Sequence, residues 1–385
     1  MGMSLLCLGS FAKTPLSRRV VDAEMARCQD GSHLDGMQGK LKWNYTTGLE
    51  LKAFLDVYIS FPEGNGAILK YVDDWYEQMI DDKGRILQNY KKSGFSTDHI
   101  CPAKTLFELY DATGKEKYRL AMDTIYDQIK EQPRTSEGGF WHKAVYPHQM
   151  WLDGLYMAQP FYAEYASRYL EDKDSAYRDI LNNLITVARH TYDEKTGLYR
   201  HAFDESVSMD WCVDKAGRSA HAWGRALGWY CMAIVDVLEF IPEGTEGRKE
   251  VEEIFKGIYK TLPEYADPKT GMWYQVLDQP GREGNYVEAT ASAMFTYAML
   301  KGVRLGILDP SMGRTARKTY RKMVKEFVKT GADGLVELQR CCEVAGLGGK
   351  ENRKGDYDYY INEKIRSNDP KGIGPLVWAA LEMGK

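Results

Sequence analysis

Residues 135–166 read TSEGGFWHKAVYPHQMWLDGLYMAQPFYAEYA and crowd Trp141, His142, Lys143, Tyr146, His148, Trp151, Asp153, Tyr156, Phe161 and Tyr165 into one short stretch. A core helix needs aliphatic residues at helical spacing, not this much flat aromatic surface beside imidazole, ammonium and carboxylate. Rings interspersed with hydrogen-bonding groups suit sugars, whose faces are apolar and whose edges are polar. Asp153 stands where a helix begins and is the carboxyl group placed to pass protons. It reads either as a general acid, with His142 and Lys143 holding substrate, or as an N-cap of that helix. A helix N-terminus lowers a carboxyl pKa, so acid catalysis there needs aromatic burial or a neighbouring carboxylate to push back.

Four further groups could join it. In His221-Ala-Trp223-Gly-Arg225-Ala-Leu-Gly228-Trp229 the i, i+4 spacing puts Arg225 and Trp229 on one helix face. There the guanidinium either grips a carboxylate or stacks on Trp229 as a structural cation–π pair. Asp98, in STDHICPAK, either caps a helix or raises the pKa of Asp153 by like-charge repulsion. His201 follows a glycine loop and is a substrate contact or a surface or structural histidine. Trp43 and Tyr45 serve equally as ligand-stacking or packing rings.

The remaining composition narrows the chemistry. With 51 basic and 55 acidic residues the net charge is −4, which favours neither nucleic acid nor a general attraction for anions. Any anionic ligand must be held by local positive groups. The seven cysteines lack a C-x-x-C and include adjacent Cys341 and Cys342, so neither a disulfide framework nor a zinc site is indicated. Walker, G-x-S-x-G, H-E-x-x-H and dinucleotide motifs are absent. No run is long and apolar enough for a membrane span. Residues 3–12 resemble the end of a secretory signal without its basic start. They point to a periplasmic or otherwise exported protein, with a cytoplasmic one as the alternative.

The elements that must position these groups are mostly helices. Apolar residues recur at i, i+3, i+4 over 71–80, 103–110, 118–129, 155–170, 177–192, 222–240, 249–265, 287–302, 315–330 and 375–383. Between them a loop recurs, a polar cluster, a glycine, then a large apolar residue, at Gly48, Gly84, Gly139, Gly197, Gly271 and Gly334. The copies DEKTGLY and DPKTGMW match almost residue for residue. Such a repeat predicts six helical hairpins, and closing them in a ring gives an all-α (α/α)6 barrel with the loops lining one pocket. An open solenoid would use shorter, more uniform repeats. The expected organisation is an N-terminal segment over 1–30 and a single barrel domain over 31–385.

WNYTTG, TDHICP, GGFWHK, QMWLDGLYMAQPF, WGRALGW, WYQVLDQP, NYVEATASAMF and DYDYY…NDPKGIGP together resemble the unsaturated rhamnogalacturonyl hydrolases of glycoside hydrolase family 105, across almost the whole chain. The resemblance implies the six-hairpin barrel, no metal or cofactor, and Asp153 as general acid/base. It carries substrate contacts onto Asp98, His142, Lys143, Trp151, Trp223, Arg225 and Trp229, and less closely onto His201 and Tyr45. His201-Ala-Phe-Asp replaces the H-x-W-D of many relatives, so that wall of the pocket differs. The implied partner is a small unsaturated uronyl oligosaccharide from pectin, and the implied reaction is hydration of its double bond. Rival readings are hydrolysis of unsaturated glucuronyl units from glycosaminoglycans or ulvan-type polymers, a sugar epimerase, and a non-catalytic sugar-binding relative.

Overall fold

The computed structural model describes residues 14–36 and 40–385, so the signal-like residues 3–12 lie outside the described part. In chain order the α-helices are α1 (Leu16–Arg27), α2 (Tyr45–Ser60), α3 (Gly66–Met79), α4 (Leu106–Thr113), α5 (Glu116–Glu131), α6 (Leu152–Tyr169), α7 (Lys173–Thr191), α8 (Gly224–Leu238), α9 (Arg248–Thr261), α10 (Ala289–Arg304), α11 (Gly313–Phe327), α12 (Tyr357–Asn362) and α13 (Pro370–Glu382).

Packing sorts them into two layers. Helix α2 packs on the 3-10 turn Cys101–Thr105 that leads into α4; that turn packs on α6, α6 on α8, α8 on α10, α10 on α13, and α13 back on α2. The inner ring is therefore closed. Outside it α3, α5, α7, α9 and α11 back α2, α4, α6, α8 and α10, while α1 backs α13. The predicted (α/α)6 barrel is the observed fold. Its sixth outer helix comes from the N-terminal segment that the expected organisation sets apart.

Sequence composition separates the layers. Inner helices are apolar on nearly every side, as in α8, where Asp236 alone escapes burial. Outer helices are amphipathic: α9 buries Val251, Phe255, Ile258 and Tyr259 and turns its Glu and Lys residues to solvent. The glycine loops at Gly84, Gly138, Gly197, Gly271 and Gly334 have positive φ and turn the chain back after each outer helix. The copy at Gly48 is not a loop. It lies in the first turn of α2, where a Cβ would come 2.5 Å from the Cα of Pro102.

All six inner helices run the same way. Their N-terminal ends meet at one mouth of the barrel, which receives Asp153 from α6, Arg225 from α8, Tyr45 from α2, and the capping residues Glu288 of α10 and Asp369 of α13.

Candidate active site

Local structure removes the capping reading of Asp153. The N-cap position of α6 belongs to Trp151, and no side chain caps the helix. Asp153 sits one residue inside the first turn, with 14% of its side chain exposed. The strand Gln149–Trp151 pairs antiparallel with Ala202–Asp204, setting Trp151 opposite Ala202, and Leu152 N–H donates to the His201 carbonyl at 3.1 Å. That pairing carries His201 across the intervening sequence to Asp153. Its Nε2 lies 3.1 Å from Asp153 Oδ2. Both atoms are buried, and their alignment falls short of a good hydrogen bond.

The far side of the imidazole is also held. His201 is fully buried, and the Tyr360 hydroxyl meets its Nδ1 at 2.8 Å. With Tyr360 O–H donating, Nδ1 is the acceptor and the proton sits on Nε2, the nitrogen on the Asp153 side. Rings close around this pair: Trp151 edge-on to His201 at 5.3 Å, Trp223 at 4.7 Å, and Tyr360 stacked on Trp223 at 5.9 Å. Trp151 Nε1 donates to Gln149 and Trp223 Nε1 to Gln275, fixing both indoles.

A second group lies beside the first. His142 stacks on Trp151 at 4.6 Å and an 11° interplanar angle. Gly154 makes room for it, since a Cβ there would lie 2.8 Å from His142 Nδ1. Burial, reinforced by the Lys143 ammonium, pushes the imidazole down to about 4, so it is neutral near neutral pH. Lys143 Nζ meets Asp98 Oδ2 at 2.5 Å, and His142 Nε2 lies 3.8 Å from Asp98 Oδ1. Burial alone would raise the Asp98 carboxyl, but Lys143 and then His142 outweigh it and hold it below the usual carboxylate range. Asp98 caps no helix. Its charge is paired with that of Lys143.

Arg225 departs from the spacing argument. Its guanidinium lies over Trp223 at 4.6 Å, and Nη1 donates to the Cys342 carbonyl at 2.5 Å. Helical side chains lean toward the N-terminus, and the Cys342 carbonyl draws the arginine that way, so the i, i+4 partner is not the one it meets. Trp229 instead stacks on Tyr156 at 4.8 Å and meets Tyr45 edge-on at 6.4 Å. It is 1% exposed and supports the site from below. Tyr45 is partly buried and lies within the fields of Asp98, Arg225, Asp369 and Asp153; burial pushes its phenol up. Arg225 is itself buried, near Glu288 and Asp369. Glu288 accepts from Ala291 N–H and Cys342 N–H, which ties α10 to the Cys341–Cys342 strand under the arginine.

The sequence reading assigned no role to Tyr146, Gln275, Glu288, Cys342 or Tyr360. Gln275, Glu288 and Tyr360 fall inside WYQVLDQP, NYVEAT and DYDYY, but nothing in their spacing shows what they touch. Among the described residues, Cys28, Asp30 and His33 lie close enough to one another to hold a metal ion. The other mouth of the barrel holds a cavity of about 240 Å³ lined by Lys52, Glu108, Glu164, Asp236, Lys301 and Glu382. Its charges face each other, as Lys52 with Glu108 at 3.0 Å and Lys301 with Asp236 at 2.8 Å, and no carboxyl there faces an imidazole. The imidazole groups around Asp153 have no counterpart in this cavity.

The barrel is closed, and its aromatic mouth sets three carboxyl groups beside imidazoles, Asp153 with His201, Asp98 with His142 and Asp278 with His221. The Glycosyl Hydrolase Family 88 model matches residues 16–385, and the chain belongs to that family. It is a glycoside hydrolase. A solved family 105 glycoside hydrolase of C. acetobutylicum ATCC 824 is 39% identical, covering 96% of this chain and 99% of that one with a TM-score of 0.90. Protein Atu3128 of Agrobacterium fabrum is 35% identical over 235 residues, which are 59% of this chain and 97% of that protein. An unsaturated 3S-rhamnoglycuronyl hydrolase of Formosa agariphila is 26% identical over 203 residues, 51% of this chain and 50% of that protein. No described helix is long and apolar enough to cross a membrane.

Proposed function

We propose that this enzyme removes a 4,5-unsaturated uronyl residue from the non-reducing end of a short oligosaccharide, with an unsaturated galacturonyl-rhamnose from pectin as the substrate. One observation carries the reading. Asp153 is a carboxyl whose Oδ2 lies beside His201, while Asp98, the other carboxyl singled out in the sequence, is ion-paired to Lys143. Ordinary glycosidases need two working carboxyl groups flanking the bond, one protonated and one ionised. Hydration of a vinyl ether needs only one that gives a proton and takes it back.

In this mechanism Asp153 protonates C4 of the unsaturated ring, and positive charge develops at C5 and the ring oxygen. The resulting carboxylate accepts a proton from water as the water oxygen bonds to C5. The hemiketal then opens and releases the neighbouring sugar, leaving a keto-uronate. Asp153 Oδ1 has no hydrogen-bond partner among the described residues and remains accessible, so it is the oxygen that shuttles the proton. His201 Nε2 lies 3.1 Å from Oδ2, close enough to steady the carboxylate form once the pair realigns on substrate, and the Tyr360 hydroxyl at Nδ1 anchors the ring. The inner-helix N-termini place positive dipole ends at the mouth, which favours an anionic sugar.

Incubation with lyase-generated disaccharides of several polymers, following loss of the ultraviolet absorbance of the conjugated double bond, tests the reading. Turnover fastest with the galacturonyl-rhamnose substrate supports it. Faster turnover of glucuronyl substrates moves the assignment to the sister activity.

A further inference from the structure

The loop that leaves α1 gathers three metal-binding side chains within six residues, Cys28, Asp30 and His33. One donor atom from each lies within 4.8 Å of the other two. Cys28 Sγ is 3.8 Å from Asp30 Oδ1, and His33 Nδ1 is 4.0 Å from the same oxygen. Ligand bonds of about 2.0–2.3 Å arranged as a tetrahedron set donor atoms about 3.3–3.8 Å apart, so a small contraction of this loop closes the set around one ion. The Ser32 hydroxyl already bridges two of the three, at 2.6 Å from Asp30 Oδ1 and 2.7 Å from His33 Nδ1. Lack of a C-x-x-C removes cysteine-paired zinc sites, but not a mixed set spaced Cys-x-Asp-x-x-His.

Neighbouring elements hold the loop in place. Gly31 has a φ of 75°, and a Cβ there would lie 2.8 Å from Trp75 Cδ1, so glycine lets the turn sit directly on α3. From α3 the Tyr71 hydroxyl donates to the Cys28 carbonyl at 2.5 Å, and the His33 N–H donates to Cys28 Sγ at 3.0 Å. Donation to sulfur favours the thiolate, which is the form that binds metal. Cys28 is buried, while the Asp30 and His33 side chains are 69% and 44% exposed. The sulfur therefore has a fixed position, and an ion has a route in from solvent.

Ligand chemistry selects the ion. Thiolate and imidazole are soft or borderline donors and do not suit Mg²⁺ or Ca²⁺, which take oxygen sets. One thiolate, one carboxylate and one neutral imidazole together carry two negative charges, which a single divalent cation cancels.

We propose that Cys28, Asp30 and His33 form a zinc site that clasps the connection between α1 and α2 against α3. On binding, the thiol S–H bond breaks, a sulfur lone pair bonds Zn²⁺, and the proton passes to the buffer, with water completing the coordination.

Calorimetric titration of the metal-stripped full chain with Zn²⁺ tests this. Wild type should bind one equivalent with proton release, so the heat should vary with the ionisation enthalpy of the buffer. Cys28→Ser and His33→Gln should each weaken binding by about tenfold or more. The His33 side chain is well exposed, so His33→Gln keeps the fold and serves where Cys28→Ser does not. Zinc should raise the melting temperature of wild type and not of His33→Gln. Co²⁺ in its place should give a sulfur-to-cobalt charge-transfer band that Cys28→Ser abolishes. No zinc binding by wild type, equal zinc affinity in wild type and His33→Gln, equal competition by Mg²⁺ or Ca²⁺, or a cobalt complex without the sulfur band overturns the proposal.

Discussion

His201 Nε2 faces Asp153 Oδ2 at 3.1 Å across the seam between the first turn of α6 and the strand Ala202–Asp204. The imidazole is anchored on its other side by Tyr360, a residue of the short helix α12 far along the chain. One carboxylate oxygen is thus buried beside the imidazole, and 14% of the side chain remains exposed at the mouth. A carboxyl group held in this way can alternate between acid and base without a second carboxylate.

The anchoring of His201 predicts a selective effect on rate. Tyr360→Phe removes one hydrogen bond while keeping the ring that stacks on Trp223. A bond of this kind contributes about 0.5–1.5 kcal/mol, so kcat should fall roughly two- to tenfold. KM should change little, and the pH profile of kcat should shift, because the imidazole tautomer facing Asp153 is no longer fixed. An unaltered profile would reduce Tyr360 to packing.

His142 predicts a pH dependence of stability. Its imidazole is held down to about 4 against an ordinary 6.5, chiefly by burial. A group with a depressed folded pKa contributes stability that is present above the unfolded value and lost as pH falls through the folded one. Between pH 6.5 and 4 the loss should be on the order of 3 kcal/mol. Denaturant unfolding of wild type and His142→Gln at a series of pH values measures it. The gap between the two should narrow over that interval, and a pH-independent gap contradicts the assignment.

Arg225 predicts a combined defect. Arg225→Ala strips the Cys342 carbonyl of its donor and uncovers the Trp223 face, so stability should drop by about 1–3 kcal/mol. KM should also rise, by about tenfold where a charge-assisted bond to substrate is lost. Trp229→Phe should leave KM nearly unchanged, since Trp229 packs on Tyr156 and not on Arg225. A large KM effect at Trp229 with none at Arg225 would restore the i, i+4 pairing expected from spacing.

Much of the fold is legible in the sequence because outer helices carry a polar face and the return loops need glycine at positive φ. Helix α2 escapes because Gly48 imitates a loop glycine, and because burial on all sides erases its periodicity. The start of α13 escapes because Gly372, Gly374 and Pro375 resemble a breaker, although they lie within the helix. The site is legible where chemistry is local, as in the run from Trp141 to Asp153. It is illegible where contact depends on strand register or on a distant segment. His201 is visible as a histidine but its meeting with Asp153 is not, and Tyr360 carries no local signal that it anchors that imidazole.

The substrate chemistry predicts a clean discrimination. Protonation at C4 requires the double bond, so saturated galacturonosyl-rhamnose should remain intact under conditions that consume the unsaturated disaccharide. In heavy-oxygen water the label should enter the keto-uronate and not the liberated rhamnose, beyond exchange at its own reducing end. Label at the anomeric carbon of the uronate would indicate ordinary glycoside hydrolysis.

The central claim, that one carboxyl group performs both proton transfers, is tested most directly by Asp153→Asn. The amide is nearly isosteric but can neither give the acid proton nor take one back. With unsaturated galacturonyl-rhamnose, loss of ultraviolet absorbance should all but cease in the variant, while its melting temperature and its calorimetric affinity for the same disaccharide stay close to wild type. Hydration by the Asn variant at a near wild-type rate would contradict the account.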